Sequence, residues 1–317
     1  PRAGLTSSIL RGAVMVRVLL LAAAVAGPVA AADQGRLVST VVFGSCADQD
    51  APGGVPIFDK MAALKPDVLL LLGDNVYADL EHLENGKARL TRNVTTDVIR
   101  AKYEALGKLP EWQRLKAACP TVMATWDDHD YGLNDAGVEW PLKDDSQKLF
   151  LDFFGVAADS PRRQQKGIYS SAVFGPAGKR VQVILLDGRY FRSKMKTGGP
   201  TVVPPYGVIR NPYVATTDAD ATFLGDEQWK WLEAQLREPA ELRLVCSGVQ
   251  VVADEHPFEK WANIPAERDR LFRTIREAKA EGVVFLSGDR HLAELSVLGP
   301  SAVGYPLYDV TSSGLTQ

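Results

Sequence analysis

Five short stretches of the chain are apolar almost throughout, at 37–43, 68–72, 181–186, 242–246 and 283–286, with a weaker sixth at 121–124. Runs this short and this rich in Val, Leu and Ile fit strands covered on both faces. Between them, spaced apolar residues predict helices over 57–64, 98–116, 147–154, 228–236 and 268–279. Strands alternating with helices imply an α/β fold with a largely parallel sheet. No internal repeat or low-complexity linker divides 33–317, which reads as one domain.

In open α/β sheets ligands gather at the carboxyl ends of the strands, so the residues that follow each run matter most. The first run leads into Gly44-Ser45-Cys46, and the second into Gly73-Asp74-Asn75-Val76-Tyr77-Ala78-Asp79. The weak run leads into Asp127-Asp128-His129-Asp130, and two others into Asp187-Gly188-Arg189 and Ser287-Gly288-Asp289-Arg290-His291. If these ends converge, their carboxylates repel one another unless cations lie between them. The pattern therefore points to a metal site holding more than one ion.

Asp74 can bridge two ions, and Tyr77 offers a phenolate suited to a hard metal such as ferric iron. Asp128 is a ligand candidate and His129 a proton donor or transition-state stabiliser, with Asp127 and Asp130 as groups that orient it. On an extended segment, Asp289 and His291 at i, i+2 share one side while Arg290 faces away. Blander readings stand beside these. Gly-Asp-Asn also suits a plain strand-to-turn transition, and Cys46 is either an inert buried thiol or a ligand. Cys246 is expected in the core and Cys119 in a structural place, with a disulfide between them left open. His82 sits in a polar, helix-like segment and is expected exposed. His256 is a loop residue or part of the site wall, and Trp229, Trp231 and Trp261 read as packing.

Composition narrows the classes. A chain of 317 residues, 46% hydrophobic and 24% charged, is neither disordered, collagenous nor a multi-span membrane protein. Thirty-six Lys and Arg against 39 Asp and Glu give −3 with no basic block, which argues against a nucleic-acid surface. Three cysteines are too few for a disulfide framework. Near the start, Met15-Val16-Arg17, the apolar run 18–26 and the small residues up to Ala32 read as a secretory signal peptide over 1–32, with Met15 as the start and cleavage after Ala32. The run is well short of the roughly 20 residues that span a bilayer, so no stable membrane span is expected after cleavage. A periplasmic or secreted protein follows from this reading. Losing Arg2, Arg11 and Arg17 leaves 33 basic against 39 acidic residues, a charge of −6 over 285 residues.

Taken in order, several blocks carry a family likeness: Phe43-Gly44-Ser45-Cys46, Gly73-Asp74-Asn75-Val76-Tyr77, Trp126-Asp127-Asp128-His129-Asp130, Leu186-Asp187-Gly188-Arg189-Tyr190-Phe191-Arg192, Ser247-Gly248-Val249-Gln250, Glu255-His256-Pro257-Phe258-Glu259-Lys260-Trp261 and Ser287-Gly288-Asp289-Arg290-His291. With these the chain resembles the PhoD-like alkaline phosphatase (alkaline phosphatase D) family of metallophosphoesterases, from about Ser39 to its end. The resemblance implies a calcineurin-like four-layer α/β sandwich, two largely parallel or mixed sheets flanked by helices. It also implies hydrolysis of small-molecule phosphate esters, mono- or diesters, by a metal-generated hydroxide. By the same likeness Cys46, Asp74 and Tyr77 hold iron(III), and Asp74 bridges to a divalent ion, calcium first, with zinc, manganese or magnesium as alternatives. Asp128 takes the place of an Asn used by related enzymes, His129 is the catalytic histidine, and Asp289 and His291 complete the metal shell. The Gly-Asp-Asn-Val-Tyr block is also similar to the iron-tyrosinate motif of purple acid phosphatases. Ser45-Cys46 replaces the first-strand Asp-x-His of the wider superfamily.

Arg189, Arg192 and Arg290 are candidate phosphate contacts or else ion-pair partners, and Gln250 and His256 lie where relatives place site residues. Relatives continue past Thr-Ser-Ser-Gly-Leu-Thr with further strands, so a C-terminal truncation is expected. The alternative to an exported hydrolase is a non-catalytic exported metal- or phosphate-binding protein or an inactive fragment.

Overall fold

A computed structural model describes residues 35–201 and 208–316. The signal peptide expected over 1–32 lies outside the described residues. The chain runs β1 (Val41–Gly44), α1 (Ile57–Ala63), β2 (Val68–Leu72), β3 (Leu80–His82), β4 (Ala88–Leu90), α2 (Thr96–Lys108), α3 (Pro110–Ala118), β5 (Val122–Thr125) and α4 (Asp128–Tyr131). It continues through α5 (Lys143–Phe153), β6 (Ser170–Phe174), β7 (Val181–Leu185), α6 (Gly225–Arg237), β8 (Leu242–Ser247), α7 (Pro265–Glu277), β9 (Val283–Ser287), β10 (Ala293–Leu298) and β11 (Leu307–Ser312).

Side chains alternate across a strand, and β2 uses both faces. Leu69 and Leu71 join Phe58, Ile99, Trp112 and Phe150 in a core under α1, α2, α3 and α5. Val68, Leu70 and Leu72 point the other way, against Val183, Leu185, Leu244 and Cys246 of a second sheet. The far face of that second sheet, with Ile184, Val245 and Phe285, is covered by Trp229 and Leu232 of α6 and Leu271 and Ile275 of α7. The result is the expected four-layer α/β sandwich. One sheet is the parallel set β1-β2-β5, and the other has the order β10-β11-β9-β8-β7-β6 with antiparallel pairs at its two edges. Among the described residues no helix is long and apolar enough to cross a membrane.

Where the elements differ from the sequence expectation, the reason is local. The single helix expected over 98–116 is two, because Leu109 before Pro110 is held extended at φ −63, ψ 123, the conformation a following proline favours. β6, β10 and β11 do not read as uniformly apolar runs, since each has a less buried or polar side; β10 alternates exposed and half-buried residues along its length. His82 is exposed, as expected, but stands in β3 and not in a helix, with its ring 2.7 Å from Asp48. Cys119 and Cys246 are both buried and free. They belong to cores on opposite faces of the smaller sheet, so the disulfide left open above does not form.

Candidate metal centre

β1, β2 and β5 are parallel and level, and their carboxyl ends meet those of β8 and β9 across the seam between the sheets. The backbone turns off these strands abruptly. Cys46, Asp74, Asp289 and His291 all have positive φ, at 62, 50, 67 and 52 degrees, and such conformations cost on the order of 1–3 kcal/mol each in non-glycine residues. Gly73 (φ +107) precedes Asp74 where a Cβ would sit 2.5 Å from that of Asp127, and at Gly248 a Cβ would meet Asp127 Oδ1 at 2.5 Å. Only glycine lets the loops of both sheets close on the carboxylates.

The convergence produces three overlapping groups of potential ligands: Cys46, Asp74 and His291; Asp74, Asp128 and His129; Asp127, Asp128 and Asp289. Within each group one donor atom per residue lies within 4.8 Å of the others. Asp74 and Asp128 are shared, so the groups form a chain along the seam. Cys46 Sγ is 3.2 Å from Asp74 Oδ2, and the Tyr77 hydroxyl is 3.5 Å from the same oxygen and 3.3 Å from His291 Nε2. The sequence reading of Asp289-Arg290-His291 as extended is corrected here. The positive φ values turn the segment, so Asp289 joins Asp127 and Asp128 while His291 goes to Cys46 and Asp74.

His129 stands on α4, with its ring 4.4 Å from that of Tyr77. Asp127 and Asp130, expected to orient it, instead build the helix start: Asp127 N–H donates to Asp130 Oδ1 at 2.6 Å, and Asp130 Oδ2 accepts from the Asn75 side chain at 2.5 Å. Asp79 is the group that holds the imidazole, 2.6 Å from Nδ1, while its other oxygen accepts the Asn134 N–H at 2.7 Å. Asp79 lies in the same post-β2 block as Asp74, and that was its only sequence signal. Ser313, just past β11, was not anticipated either. Its hydroxyl donates to Cys46 Sγ at 3.1 Å and accepts the His291 N–H at 2.9 Å.

These residues fit metal ions. Asp127 Oδ2 and Asp128 Oδ1 are buried with no hydrogen-bond partner among the described residues, an arrangement that burial penalises unless a cation completes it. Carboxylates and a phenol suit hard cations, while the thiol and imidazole at one end add ligands for a transition metal.

The sequence matches the family model for PhoD-like phosphatase over residues 41–307. The chain belongs to the PhoD-like phosphatase family. It is 27% identical over 289 residues to alkaline phosphatase D of Bacillus subtilis (strain 168), an alignment covering 82% of this chain and 47% of that protein. A solved structure described as that of PhoD superposes with a TM-score of 0.70 at 20% identity, covering 90% of this chain and 58% of that one. The chain thus spans about half the length of the curated relative it matches.

Electrostatics in this PhoD-like centre follow from crowding. Burial pushes Asp74 and Asp289 well above the usual carboxylate range, and neighbouring acidic groups push them further. Burial likewise raises the Tyr77 phenol and the Cys46 thiol. Asp128 goes the other way, to about 2, because His129, Arg189 and the Asp135 N–H outweigh its burial. Burial opposes a charge on His129, but Asp128, Asp74 and Asp79 overcome it and hold its pKa well above the ordinary value. Every raised acid is a proton that a cation must displace, so metal affinity in this centre rises with pH.

Stability without metal follows the same signs. Burial lifts Asp127 to about 6 and Asp130 to about 7. Groups with raised folded-state values favour the fold fully below their unfolded values near 4, and that contribution is lost as pH rises through about 6 to 7. Chelated protein is therefore expected to lose stability between pH 4 and pH 7, read as a falling thermal midpoint that added divalent cation reverses.

Arg189 and Arg192, candidates for phosphate contact, are each 1% exposed and engaged as ion-pair partners. Arg189 bonds Asp127 Oδ1 at 2.5 Å and Glu259 Oε2 at 2.6 Å, and Arg192 lies 2.9 Å from Glu259 Oε1. Gln250 is buried, donating to Thr311 Oγ1 at 2.8 Å and Glu294 Oε2 at 3.1 Å. His256 is buried in the loop after β8, and Arg290 lies over the Phe258 ring. Trp229 and Trp261 pack in the core as expected.

Proposed function

We propose that the chain is an exported metal-dependent hydrolase of phosphate mono- or diesters, with iron(III) and a divalent ion, calcium first, held by Cys46, Asp74, Tyr77, Asp128, Asp289 and His291. The observation that carries this reading is the chain of three ligand groups sharing Asp74 and Asp128, with an Asp79-backed histidine inside it. Ions bound there supply Lewis-acid chemistry, lowering the pKa of water and neutralising phosphoryl oxygens. Asp74 and Asp128, each a member of two groups, set the spacing of whatever they hold. With Nδ1 of His129 committed to Asp79, Nε2 is the nitrogen left to donate to the departing oxygen, and the surrounding carboxylates keep it protonated. Asp79, itself 1% exposed, fixes the ring without touching substrate.

Release of phosphate from p-nitrophenyl phosphate, and of nitrophenol from its bis ester, tests the reading. His129→Ala is expected to lower kcat by about 10²–10⁴-fold. Asp79→Asn is expected to lower it by about 10–100-fold with metal content retained and the alkaline limb of the pH profile displaced to lower pH. A metal-loaded protein inactive on both esters would overturn the proposal.

A further inference from the structure

The segment after β11 laces together the two turns that carry the thiol end of the metal centre. The Leu315 N–H donates to the Ser45 oxygen at 3.2 Å, and the Thr316 N–H to the Cys46 oxygen at 3.4 Å. On the other side the Ser313 N–H donates at 3.1 Å to the oxygen of Leu292, the residue after His291. Both turns are left-handed at their ligand, with Cys46 at φ 62 and His291 at φ 52, and such backbone persists only where its surroundings hold it.

These main-chain bonds hold the turns without help from the Ser313 side chain. Its hydroxyl has a different use. It accepts the His291 N–H at 2.9 Å and donates its own proton to Cys46 Sγ at 3.1 Å, across 267 positions of sequence. Two other polar neighbours of the sulfur stand on the accepting side of the thiol. Asp74 Oδ2 lies 3.2 Å from Sγ, and Ser45 Oγ lies 3.5 Å from it while giving its own proton to the Ser312 oxygen at 3.3 Å. A cation bound by Cys46 displaces the thiol proton that these two contacts use. The bond from Ser313 survives that loss and gains strength, because its acceptor is then charged.

We infer that Ser313 is a positioning residue of the metal centre: its hydroxyl holds the Cys46 thiolate beside His291 and draws electron density from the sulfur, so that both ligands serve one ion. The inference rests on the proposed reading in which Cys46 and His291, grouped with Asp74, hold metal. It deepens that reading by naming what tunes the thiolate end. Hydrogen bonds to a ligating sulfur adjust how strongly it gives electrons to the metal, and partners that orient a ligand are worth about 10–100-fold in metal affinity.

Cobalt(II) titrated into the chelated full chain tests the inference. A thiolate bound to cobalt shows a sulfur-to-metal charge-transfer absorption, which Cys46→Ala must abolish. Ser313→Ala is expected to move that absorption to longer wavelength, since a more electron-rich sulfur gives up charge more readily, and to weaken cobalt binding by about tenfold. The thermal midpoint of the chelated variant should stay close to that of the unaltered protein, because the main-chain bonds remain. An absorption unmoved by Ser313→Ala would overturn the inference, and a lowered midpoint alongside it would mark the serine as merely structural. Failure of the underlying reading looks different. If the unaltered protein binds cobalt with no absorption that depends on Cys46, then Cys46 leaves the proposed ligand set and the inference falls with it.

Discussion

Asp74→Asn is expected to empty the centre and abolish turnover. Asp74 belongs to two of the three ligand groups and lies within 3.5 Å of Cys46 Sγ and the Tyr77 hydroxyl. The amide keeps the shape but removes the charge that holds cations in place. Losing several kcal/mol of transition-state charge stabilisation corresponds to a fall in kcat/KM on the order of 10³-fold or more. Metal content should fall in the same preparation, and the fold should survive, since an uncharged side chain relieves repulsion in a site where burial already disfavours the carboxylate. A variant that kept both its metal and its activity would remove Asp74 from the role given to it.

Glu259→Ala is expected to have the largest effect on stability. Glu259 is 2% exposed and joins two guanidiniums that are each 1% exposed, Arg189 at 2.6 Å and Arg192 at 2.9 Å. Arg189 in turn holds Asp127. Removing one member of a buried ionic set leaves the others uncompensated, at a cost of about 3–5 kcal/mol. That corresponds to a loss on the order of 10 °C in Tm. Because the freed Arg189 charge remains beside Asp127 and Asp128, affinity for divalent cations should also weaken. Thermal melts of the metal-free and metal-loaded variant would separate the two effects.

The fold was legible where both faces of a strand are apolar, as in β2 and β8, because burial on two sides leaves no polar position to confuse the pattern. It was illegible at β10 and β11, where one side of the hairpin faces outward and the uniform signal is lost. The candidate ligands were legible because each follows directly on a buried strand, as Asp74, Asp128 and Asp289 do. What the spacing could not convey was backbone direction. Asp289 and His291 look like neighbours on one side until their left-handed φ values send them to different groups. Partners supplied from far along the chain were equally hidden. Nothing local distinguishes Asp79 from any other acid after β2, and Ser313 reaches Cys46 across 267 positions of sequence. Arg189 was left between two roles by its sequence alone, and its burial against Asp127 and Glu259 supports the ionic one.

The most direct test of the central claim is a titration of metal back into chelated protein while phosphate release from p-nitrophenyl phosphate is followed. The account predicts no turnover after chelation and a rate that climbs with bound metal until the groups built on Asp74 and Asp128 are filled. A chelated protein that binds no added metal, or one that hydrolyses the ester at an undiminished rate, would contradict it.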